Sequence, residues 1–503
     1  MTKTKVLVIG LDGASPEVIF RWAQAGLLPN MASLMARGVY GPLMSTIPPM
    51  TCPAWTSSVT GVDIHKHGLY DFFLQADFRR RRLILANARK RKVKALWSLL
   101  NAEGMKTVII NLPASYPPEK VDGAMVTGML TPSIKSRFTY PPSLKEELID
   151  MGYIIDVGET FLDEVALYKQ DPVAYIREVL KMVTKRAEAA LYLMKEFEWD
   201  LFFVVFVALD RINHFFWRHI DPHHIAHDEA VAKEFRLWVV RVYKAIDDAI
   251  GRLVREAGRG TNVIIYSDHG FRSLNNFVFY NDLLRNEGLL SVKKGSIRRL
   301  GPTQCEILRL VDVLHLVPVI RLLPAWIKRT LGYRMKGSDE FLSFFDIEPE
   351  ETIAYQLGQF IHVNKELVCS NEERTKIVRK VLNAVMRLYS VTKIRAYSTE
   401  DLFGHRVDVP EVVLLPEGLS SAFHMLTVNA DVVRFYDENA GIPSLMWSGD
   451  HSLYGIMVMA GSEASRFRCT KKMRIVDIAP TILKLLDLDI PAYMDGRPLI
   501  DAK

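Results

Sequence analysis

The chain has 503 residues, of which 49% are hydrophobic and 24% are charged, and its formal net charge is +6. This length can bury a large core, and the ordinary charge content leaves little room for long disordered tails. A net charge this small over so much surface points to neither nucleic acid nor membrane, and we expect no nucleic-acid partner.

Short apolar runs followed by helical patterns recur along the chain. This alternation predicts an α/β fold with a mostly parallel central sheet and helices on its faces. The predicted strands are KVLVIG at 5–10, TVIINL at 107–112, LFFVVFVAL at 201–209, NVIIYS at 262–267 and EVVLLP at 411–416. The predicted helices cover 173–196 and 228–256, where apolar residues recur at helical spacing opposite charged ones.

The first predicted strand ends at a carboxylate. Gly10 and Asp12 interrupt the short apolar stretch that begins at Val6, so the N-terminus predicts a strand rather than a signal peptide. Asp12 should project from the carboxyl end of this strand, the edge at which open α/β sheets bind ligands. A lone aspartate after a strand is commonly a helix cap or turn residue, so Asp12 counts only together with similar residues elsewhere.

The segment STIPPMTCPAWTSSVTG at 45–61 contains a candidate nucleophile. Pro53 suits the first turn of a helix, which places Thr51 or Cys52 at the helix N-terminus. There the Thr51 hydroxyl would face free N–H groups and the positive end of the helix dipole, which favour an alkoxide and a phosphate. The alternative is that Thr51 only caps the helix.

Two basic stretches fit the alternation poorly, and we predict them as inserts in a single catalytic domain that spans 1–503. Residues 72–95 contain FRRRRLILANARKRKVK, which is either a solvated edge or a phosphate-binding segment. Residues 290–345 contain a proline-interrupted, amphipathic and basic segment. It is either a helical insert packed on the main domain, or a lid or peripheral contact with anionic lipid.

The third predicted strand leads into LDRINHFFW at 209–217. One helical turn would place Asp210 and His214 on the same face, a spacing that suits two ligands of one metal. Four more histidines follow at irregular spacing, and we assign them to surface or packing positions: His219, His223, His224 and His227.

The fourth predicted strand ends in Asp268 and His269, and Gly270 allows the backbone to turn sharply after them. His451 lies in WSGDHSLYGIMVMAG at 447–461, in a loop that leads into an apolar strand. Carboxylates and imidazoles from several strand ends therefore form one candidate set of metal ligands, sufficient for two ions. The set is Asp12, Asp210, His214, Asp268, His269 and His451. Mixed nitrogen and oxygen ligation suits Zn²⁺ and tolerates Mn²⁺.

These residues resemble the alkaline phosphatase superfamily, within it the type I phosphodiesterase and nucleotide pyrophosphatase group, and in particular a bacterial and archaeal branch of predicted phosphohydrolases or phosphomutases. The similar segments run from the first strand to the C-terminus. They are VLVIGLDGASP, LLPNMASLMARGVYGPLMSTIPPMTCPAWTSSVTGVDIHKHGLYDF, NLPASYPPEKVDGAMVTGMLTP, VALDRINHFFW, YSDHGF and DIAPTILKLLDLDIPAYMDGRPL.

The resemblance implies a three-layer α/β/α fold with two metal ions in one site. It implies one metal held by Asp12, Thr51, Asp268 and His269, and another held by Asp210, His214 and His451. It also implies that Thr51 attacks the phosphorus of a monoester or diester in line, and that the phospho-threonine is then transferred to water or to another hydroxyl.

Departures from the family patterns bear on the substrate. Nucleotide pyrophosphatases often carry a phosphate-binding asparagine shortly after the His-Gly pair that here is His67 and Gly68, whereas this chain has Asp71. An aspartate beside an anion argues against nucleotide diesters. The tetrapeptide CPAW at 52–55 lacks the Cys-x-Pro-x-Arg pattern of sulfatases, and Thr51 stands where phosphoglycerate mutases have serine.

The leading hypothesis is a phosphohydrolase that acts on a small phosphorylated substrate. The alternatives are a phosphomutase or phosphotransferase acting on a sugar or lipid head group, and a binding protein that has kept the fold without catalysis. Every expected ligand position is occupied, which favours an enzyme. The sequence leaves the substrate and the oligomeric state open.

The four cysteines indicate the compartment. Cys52, Cys305, Cys369 and Cys469 lie far apart and form no CxxC pair, so neither a zinc ribbon nor a disulfide framework is indicated. We therefore expect reduced thiols and a cytoplasmic location. No apolar run approaches the roughly 18 residues that would indicate a membrane-spanning helix.

Overall fold

The computed structural model describes residues 4–500 except 79, 81, 159–160, 294–340, 343, 419, 424–425, 428–431, 437–446, 464–465 and 468–472. In this part of the chain the fold is a three-layer α/β/α arrangement around an eight-stranded, mostly parallel sheet. The predicted fold class is therefore confirmed.

Strands and helices alternate along most of the described chain. The strands are β1 (Lys5–Leu11), β2 (Gly38–Met44), β3 (Phe73–Asp77), β4 (Arg82–Leu85), β5 (Thr107–Leu112), β6 (Gly123–Thr127), β7 (Thr139–Tyr140), β8 (Leu201–Phe206), β9 (Thr261–Tyr266), β10 (Gly270–Ser273), β11 (Asn276–Phe279), β12 (Phe341–Leu342), β13 (Ala354–Leu357), β14 (Phe360–Val363), β15 (Ile394–Ser398), β16 (Val412–Pro416), β17 (Ser420–Phe423), β18 (Leu426–Thr427), β19 (Val433–Phe435), β20 (Gly449–Ser452) and β21 (Tyr454–Ala460). The α-helices are α1 (Pro16–Gln24), α2 (Pro29–Ala36), α3 (Thr51–Thr60), α4 (Ile64–His67), α5 (Leu96–Ala102), α6 (Leu144–Asp150), α7 (Phe161–Gln170), α8 (Pro172–Glu196), α9 (Ala208–Phe216), α10 (Glu229–Ala257), α11 (Tyr280–Asn286), α12 (Asn371–Arg387), α13 (Tyr389–Thr392), α14 (Thr399–Phe403) and α15 (Ile478–Leu485).

The central sheet has the strand order β2-β21-β9-β1-β8-β5-β6-β7. The five strands from β9 to β6 are parallel, whereas β21 and β7 pair antiparallel with their inner neighbours. Every residue of β5, β8 and β9 is buried. Parallel strands covered on both faces need continuous apolar side chains, which explains the unbroken apolar runs in the sequence.

The two long helices begin at well-formed N-caps. Asp171 accepts hydrogen bonds from the amides of Val173 and Ala174 at 2.9 and 3.0 Å at the start of α8. Asp228 caps α10 in the same way. A carboxylate at this position satisfies free N–H groups and complements the helix dipole. Both predicted helices are present, and α8 and α10 pack against each other.

The fifth predicted strand does not join the central sheet. EVVLLP forms β16, which lies in a separate four-stranded sheet of order β13-β14-β16-β15 whose strand pairs are all antiparallel. Val412 and Leu414 pack with Val381 and Val385 of α12 in an apolar cluster of their own. A short apolar run predicts a buried strand but not the sheet to which that strand belongs. The pattern alone could therefore not distinguish the central sheet from the small one.

The predicted inserts are only partly described. Residues 72–95 contain the antiparallel β3–β4 hairpin, and Ala76 and Leu83 pack with the cluster beside the small sheet. Most of the 290–345 segment lies outside the described residues. Its interpretation as a helical insert, a lid or a lipid contact therefore stays a prediction. None of the described helices has the length and apolar character needed to cross a bilayer.

Candidate metal centre and nucleophile

Each of the three candidate carboxylates follows the carboxyl end of one of three neighbouring strands. Strand β1 lies between β9 and β8 in the sheet, and Gly10 pairs with Tyr266 on one side and Val205 on the other. Asp12, Asp268 and Asp210 follow these strands at the same edge. The parallel arrangement therefore brings residues from three distant parts of the chain to one place, as the strand-end argument predicts.

The first cluster, here called the Asp12 group, consists of Asp12, Asp268 and His269. His269 Nε2 lies 3.2 Å from Asp268 Oδ2 and 3.6 Å from Asp12 Oδ1. All three side chains are completely buried. Two carboxylates and one imidazole within this distance form a site that a divalent cation fits.

The second cluster, here called the Asp210 group, consists of Asp210, His214 and His451. Asp210 Oδ1 lies 3.3 Å from His214 Nε2 and 3.4 Å from His451 Nε2, and the two Nε2 atoms are 3.3 Å apart. Asp210 and His214 lie on one face of α9, as their spacing predicts, and β20 supplies His451. The two groups adjoin, because the rings of His269 and His451 stack with centroids 3.6 Å apart.

The hydrogen bonds of both groups leave one side of each side chain free. Asp12 Oδ1, Asp210 Oδ1 and Asp268 Oδ2 are buried and find no hydrogen-bond partner among the described residues. The opposite oxygens are satisfied: the Trp55 indole donates to Asp12 Oδ2 at 2.9 Å, and the Gly13 amide donates to Asp268 Oδ1 at 3.2 Å. Orphaned buried carboxylate oxygens are costly unless something else binds them, so these three fit a cation.

The three histidines of the two groups each direct Nδ1 toward a backbone carbonyl oxygen. The Nδ1 atoms of His214 and His451 lie 3.0 Å from the backbone oxygens of Gly449 and Pro49, and His269 Nδ1 lies 3.1 Å from Gly270 O. A hydrogen bond from Nδ1–H to a carbonyl fixes the tautomer in which Nε2 carries the lone pair. All three Nε2 atoms are therefore available as ligands.

Thr51 is the first residue of α3, with Pro53 in the first turn, as predicted. Its side chain is buried, and Oγ1 lies 3.2 Å from His269 Nε2. The hydroxyl thus lies beside the ligand atoms of the Asp12 group. The helix start that the sequence indicated also directs the hydroxyl toward this group.

The electrostatics of the two groups differ. Burial, and then the neighbouring Asp268 and Asp210, raise the pKa of Asp12 well above its usual value. Burial followed by Asp210 does the same to the pKa of Asp268. Burial would also raise the pKa of Asp210, but His214, His451 and Arg211 outweigh it and hold that pKa well below the usual value.

Gly13 lies between the Asp12 group and the Asp210 group, in contact with residues of both. Its φ of +72° is a conformation that glycine adopts freely, and its amide donates to Asp268. A Cβ at this position would lie 2.6 Å from the Phe271 ring and 3.0 Å from the Asp210 α-carbon. A side chain there would therefore push the Asp210 group away from the strand that carries Asp12.

The sequence argument missed two side chains next to the ligands. Trp55 donates to Asp12, and Arg211 Nη1 lies 3.3 Å from Asp210 Oδ2. Trp55 is four residues after Thr51 on the same helix, so helical spacing from this candidate nucleophile could have indicated it. Arg211 directly follows a candidate ligand, but its direction depends on Asp156, which the sequence does not connect to it.

The four histidines that we set aside lie outside both clusters. His219 stacks on Phe235, and burial lowers its pKa to about 3. His224 Nε2 and His227 Nδ1 contact backbone oxygens, and His223 is exposed. These are packing and surface positions.

Asp71, which stands where nucleotide pyrophosphatases often carry a phosphate-binding asparagine, is buried and accepts hydrogen bonds from backbone amides. Gln359 N donates to Oδ2 at 2.9 Å, and Phe73 N donates to Oδ1 at 3.3 Å. Burial raises the pKa of this carboxyl to about 6. Asp71 therefore ties the segment after α4 to the β13–β14 turn, a structural role that the family comparison did not reveal.

Similar folds occur among solved structures. Human ectonucleotide pyrophosphatase/phosphodiesterase 5 is 12% identical with a TM-score of 0.51, and the alignment covers 98% of this chain and 97% of that one. An inactive threonine-to-alanine variant of the murine protein, in complex with AMP, is 12% identical with a TM-score of 0.51 over 97% and 96% of the two chains. Phosphonoacetate hydrolase from Sinorhizobium meliloti, in complex with phosphonoformate, is 12% identical with a TM-score of 0.52 over 96% and 95%. These likenesses support the alkaline phosphatase-like fold.

The sequence comparisons identify the family. No curated protein matches the chain. Residues 6–384 match the family described as type I phosphodiesterase / nucleotide pyrophosphatase, which is well over half of the chain. The chain therefore belongs to the type I phosphodiesterase and nucleotide pyrophosphatase family, whose members are metal-dependent hydrolases acting on phosphoesters.

Proposed function

We propose that this protein is a two-metal phosphohydrolase that cleaves a phosphate monoester or diester through a covalent intermediate on Thr51. The three orphaned carboxylate oxygens carry this proposal, because each belongs to a side chain whose other oxygen is held in place. In the Asp12 group this leaves buried negative charge that bound cations would compensate, and Asp210 Oδ1 offers a further ligand atom. Family membership supplies the reaction class.

The Asp12 group with Thr51 would hold one ion, and the Asp210 group would hold the other. Nitrogen and oxygen donors in both groups favour Zn²⁺, and the two carboxylates of the Asp12 group tolerate Mn²⁺. When bound, the ions would activate the threonine hydroxyl and neutralise the charge of the phosphoryl oxygens.

Thr51 is placed to act as the nucleophile. Its Oγ1 would attack phosphorus, and the ester oxygen would leave as an alcohol once it has gained a proton. Water would then cleave the phospho-threonine and release phosphate, or a phosphate monoester when the substrate is a diester. The start of α3 holds the hydroxyl in place, and the positive end of the helix favours the anionic phosphoryl group.

The inactive murine variant carries a threonine-to-alanine change, and we propose that a threonine, here Thr51, has the corresponding role in this chain. That protein binds AMP in its solved structure, whereas the substrate of this chain stays open. A phosphomutase or phosphotransferase reaction would use the same intermediate and differ only in the acceptor. The product ratio with an added alcohol acceptor distinguishes transfer from hydrolysis.

Thr51→Ala tests the nucleophile. With p-nitrophenyl phosphate and bis-p-nitrophenyl phosphate, in Zn²⁺ or Mn²⁺, we expect kcat/KM to fall by at least about 1,000-fold, since losing a nucleophile typically costs this much or more. Thr51→Ser should recover part of the activity, because it restores a hydroxyl at the same position. Mass spectrometry of quenched wild-type enzyme should find phosphate on the peptide that contains Thr51.

Thr60→Ala is the matched control. Thr60 is a buried threonine of the same helix whose hydroxyl donates to Thr56 O at 2.8 Å, within its own helix. Its loss should leave the rate constants close to those of wild type. Equal activity of Thr51→Ala and Thr60→Ala would refute the assignment of the nucleophile.

A further inference from the structure

A cavity of about 380 Å³ lies between the basic insert at 72–95 and the loop that follows β5. It is lined by Ala88, Arg89, Arg91, the segment 116–119 and Arg137. Its volume falls within the range of roughly 300–1,000 Å³ that is typical of small-molecule sites. The lining contains neither Thr51 nor a candidate metal ligand, so the catalytic steps proposed above do not use this cavity.

The lining carries more positive than negative charge. It contains three arginines and a single carboxylate, Glu119, which leaves a surplus of two positive charges. Within the described ranges of the chain, neither the Arg89 nor the Arg137 guanidinium has a hydrogen-bond or ion-pair partner, and both residues are exposed. Each guanidinium offers several N–H donors in a planar fork. Two of them are therefore free to bind an anion.

Arg91 carries the third guanidinium, which is fixed in place. Its side chain is only 8% exposed, Nε donates to Val93 O at 2.9 Å, and Nη2 donates to Glu119 Oε1 at 2.7 Å. The guanidinium carbon lies 5.2 Å from the centroid of the Trp97 ring, and the Trp97 indole donates to Glu119 Oε2 at 3.1 Å. These contacts leave Nη1 of Arg91 without a partner in the part of the chain that the structure describes. A donor held in this way binds an anion with little further loss of side-chain entropy.

Backbone hydrogen bonds hold the walls of the cavity together. The Ala88 amide donates to Tyr116 O at 2.8 Å, which joins the insert to the loop after β5. Asn87 Oδ1 accepts from the Arg89 amide at 3.1 Å and caps the short 3₁₀ turn that carries Arg89. The backbone around the cavity is thus fixed before a ligand binds, which lowers the entropic cost of binding.

We propose that this cavity binds a doubly charged phosphate group, either free phosphate or the phosphate of a small phosphomonoester. One dianion matches the surplus of two positive charges, and guanidinium forks match the geometry of phosphate oxygens. The phosphate-binding role that the sequence left open for 72–95 thereby falls to Arg89 and Arg91, together with Arg137. No candidate metal ligand takes part, so the site does not depend on the proposed reaction.

Equilibrium dialysis against radiolabelled inorganic phosphate counts the sites. The Zn²⁺-loaded full-length chain is compared with Arg89→Gln/Arg137→Gln, whose changes lie at exposed positions and should leave the fold intact. The variant should bind one phosphate fewer per chain than wild type. Its Kd at the cavity should rise by at least about tenfold, because hydrogen bonds from two charged donors are lost. Phosphate bound at the metal centre contributes equally to both counts.

Two further variants test the charge of the cavity. Arg252→Gln/Arg255→Gln is the matched control, because it changes the net charge by the same amount at exposed positions of α10 outside the cavity. Its phosphate count should equal that of wild type. Glu119→Gln should tighten phosphate binding by about threefold or more, because it removes the negative charge of the lining.

Methylphosphonate distinguishes the two sources of the phosphate group. The probe has the charge of phosphate, carries an organic substituent and is not a phosphoester. Competition is measured on the phosphate that wild type binds and Arg89→Gln/Arg137→Gln does not. Displacement of this phosphate would indicate a site for phosphomonoesters, and its retention would indicate a site for free phosphate.

The outcomes separate this inference from the proposed function. Equal phosphate counts in wild type and Arg89→Gln/Arg137→Gln, an equal loss in the Arg252→Gln/Arg255→Gln control, or weaker binding by Glu119→Gln would each overturn the phosphate site. Should the difference between wild type and the first variant appear in a protein that hydrolyses no nitrophenyl ester, the phosphate site would stand and the proposed reaction would fail. Hydrolysis without that difference would reverse the conclusion.

Discussion

The two ligand groups use different means to hold their carboxylates. In the Asp12 group, two carboxylates face each other and accept hydrogen bonds from neutral donors, the Trp55 indole and the Gly13 amide. In the Asp210 group, a single carboxylate lies among two imidazoles and the Arg211 guanidinium. The first group is therefore electrostatically strained without cations, whereas the second is already largely compensated. We therefore expect the Asp12 group, which lies beside Thr51, to depend more strongly on a bound cation than the Asp210 group.

The largest effects should come from removing one imidazole from each group. His269→Ala and His214→Ala should each lower kcat/KM by about 100-fold or more, since even outer partners of metal ligands cost 10- to 100-fold. Metal analysis after purification without chelator should find one ion per chain in each variant and two in wild type. His223→Ala, at an exposed position, is the control. Unchanged metal content in either ligand variant would remove that residue from the site.

The second prediction concerns the sign of a stability change in the metal-free chain. In chelator at about pH 8, Asp12→Asn should raise the free energy of unfolding, because it removes a buried charge whose pKa is raised by burial and by Asp268. Asp210→Asn should lower it by about 3 kcal/mol, because it removes one of the carboxylates that compensate the Arg211 guanidinium.

Urea unfolding curves of the two variants and wild type measure both changes. Near pH 3 the gain from Asp12→Asn should disappear, since a carboxyl with a raised folded-state pKa is then protonated in the folded and unfolded chain alike. Changes of the same sign in the two variants would contradict the contrast between the groups.

Asp71 offers a smaller test of how burial raises the pKa of a carboxyl, at a position outside the candidate metal centre. Like Asp12 it is buried and accepts from neutral donors, and burial raises its pKa to about 6. A raised carboxyl pKa means that the unfolded chain ionises first, so wild type loses stability from this group as the pH rises from about 4 to 6. The unfolding free energy of Asp71→Asn relative to wild type should therefore increase by about 2 kcal/mol across this range. A pH-independent difference between the two would show that Asp71 titrates normally.

Much of this architecture could be predicted from the sequence, because buried parallel strands leave unbroken apolar runs and their carboxyl ends share one edge. Asp12, Asp210 and Asp268 each follow such a run, and the structure brings them together as predicted. Their roles as ligands, the nucleophilic role of Thr51, the cytoplasmic location and the division into one domain with inserts stay predictions.

The features that the sequence did not reveal depend on long-range contacts. β16 is as apolar as the central strands, but its partners β14 and β15 place it in another sheet. The direction of Arg211 depends on Asp156, 55 residues away. The burial of Asp71 depends on Gln359, 288 residues away. Local spacing carries no information about such pairs, so only the folded chain could show them.

The tight packing around Gly13 bears on how proteins of this kind can diversify. A single backbone position without a side chain sets the separation between the residues that follow β1 and those that follow β8, and not even a methyl group fits there. Inherited substitution at the candidate metal centre is therefore constrained at this residue.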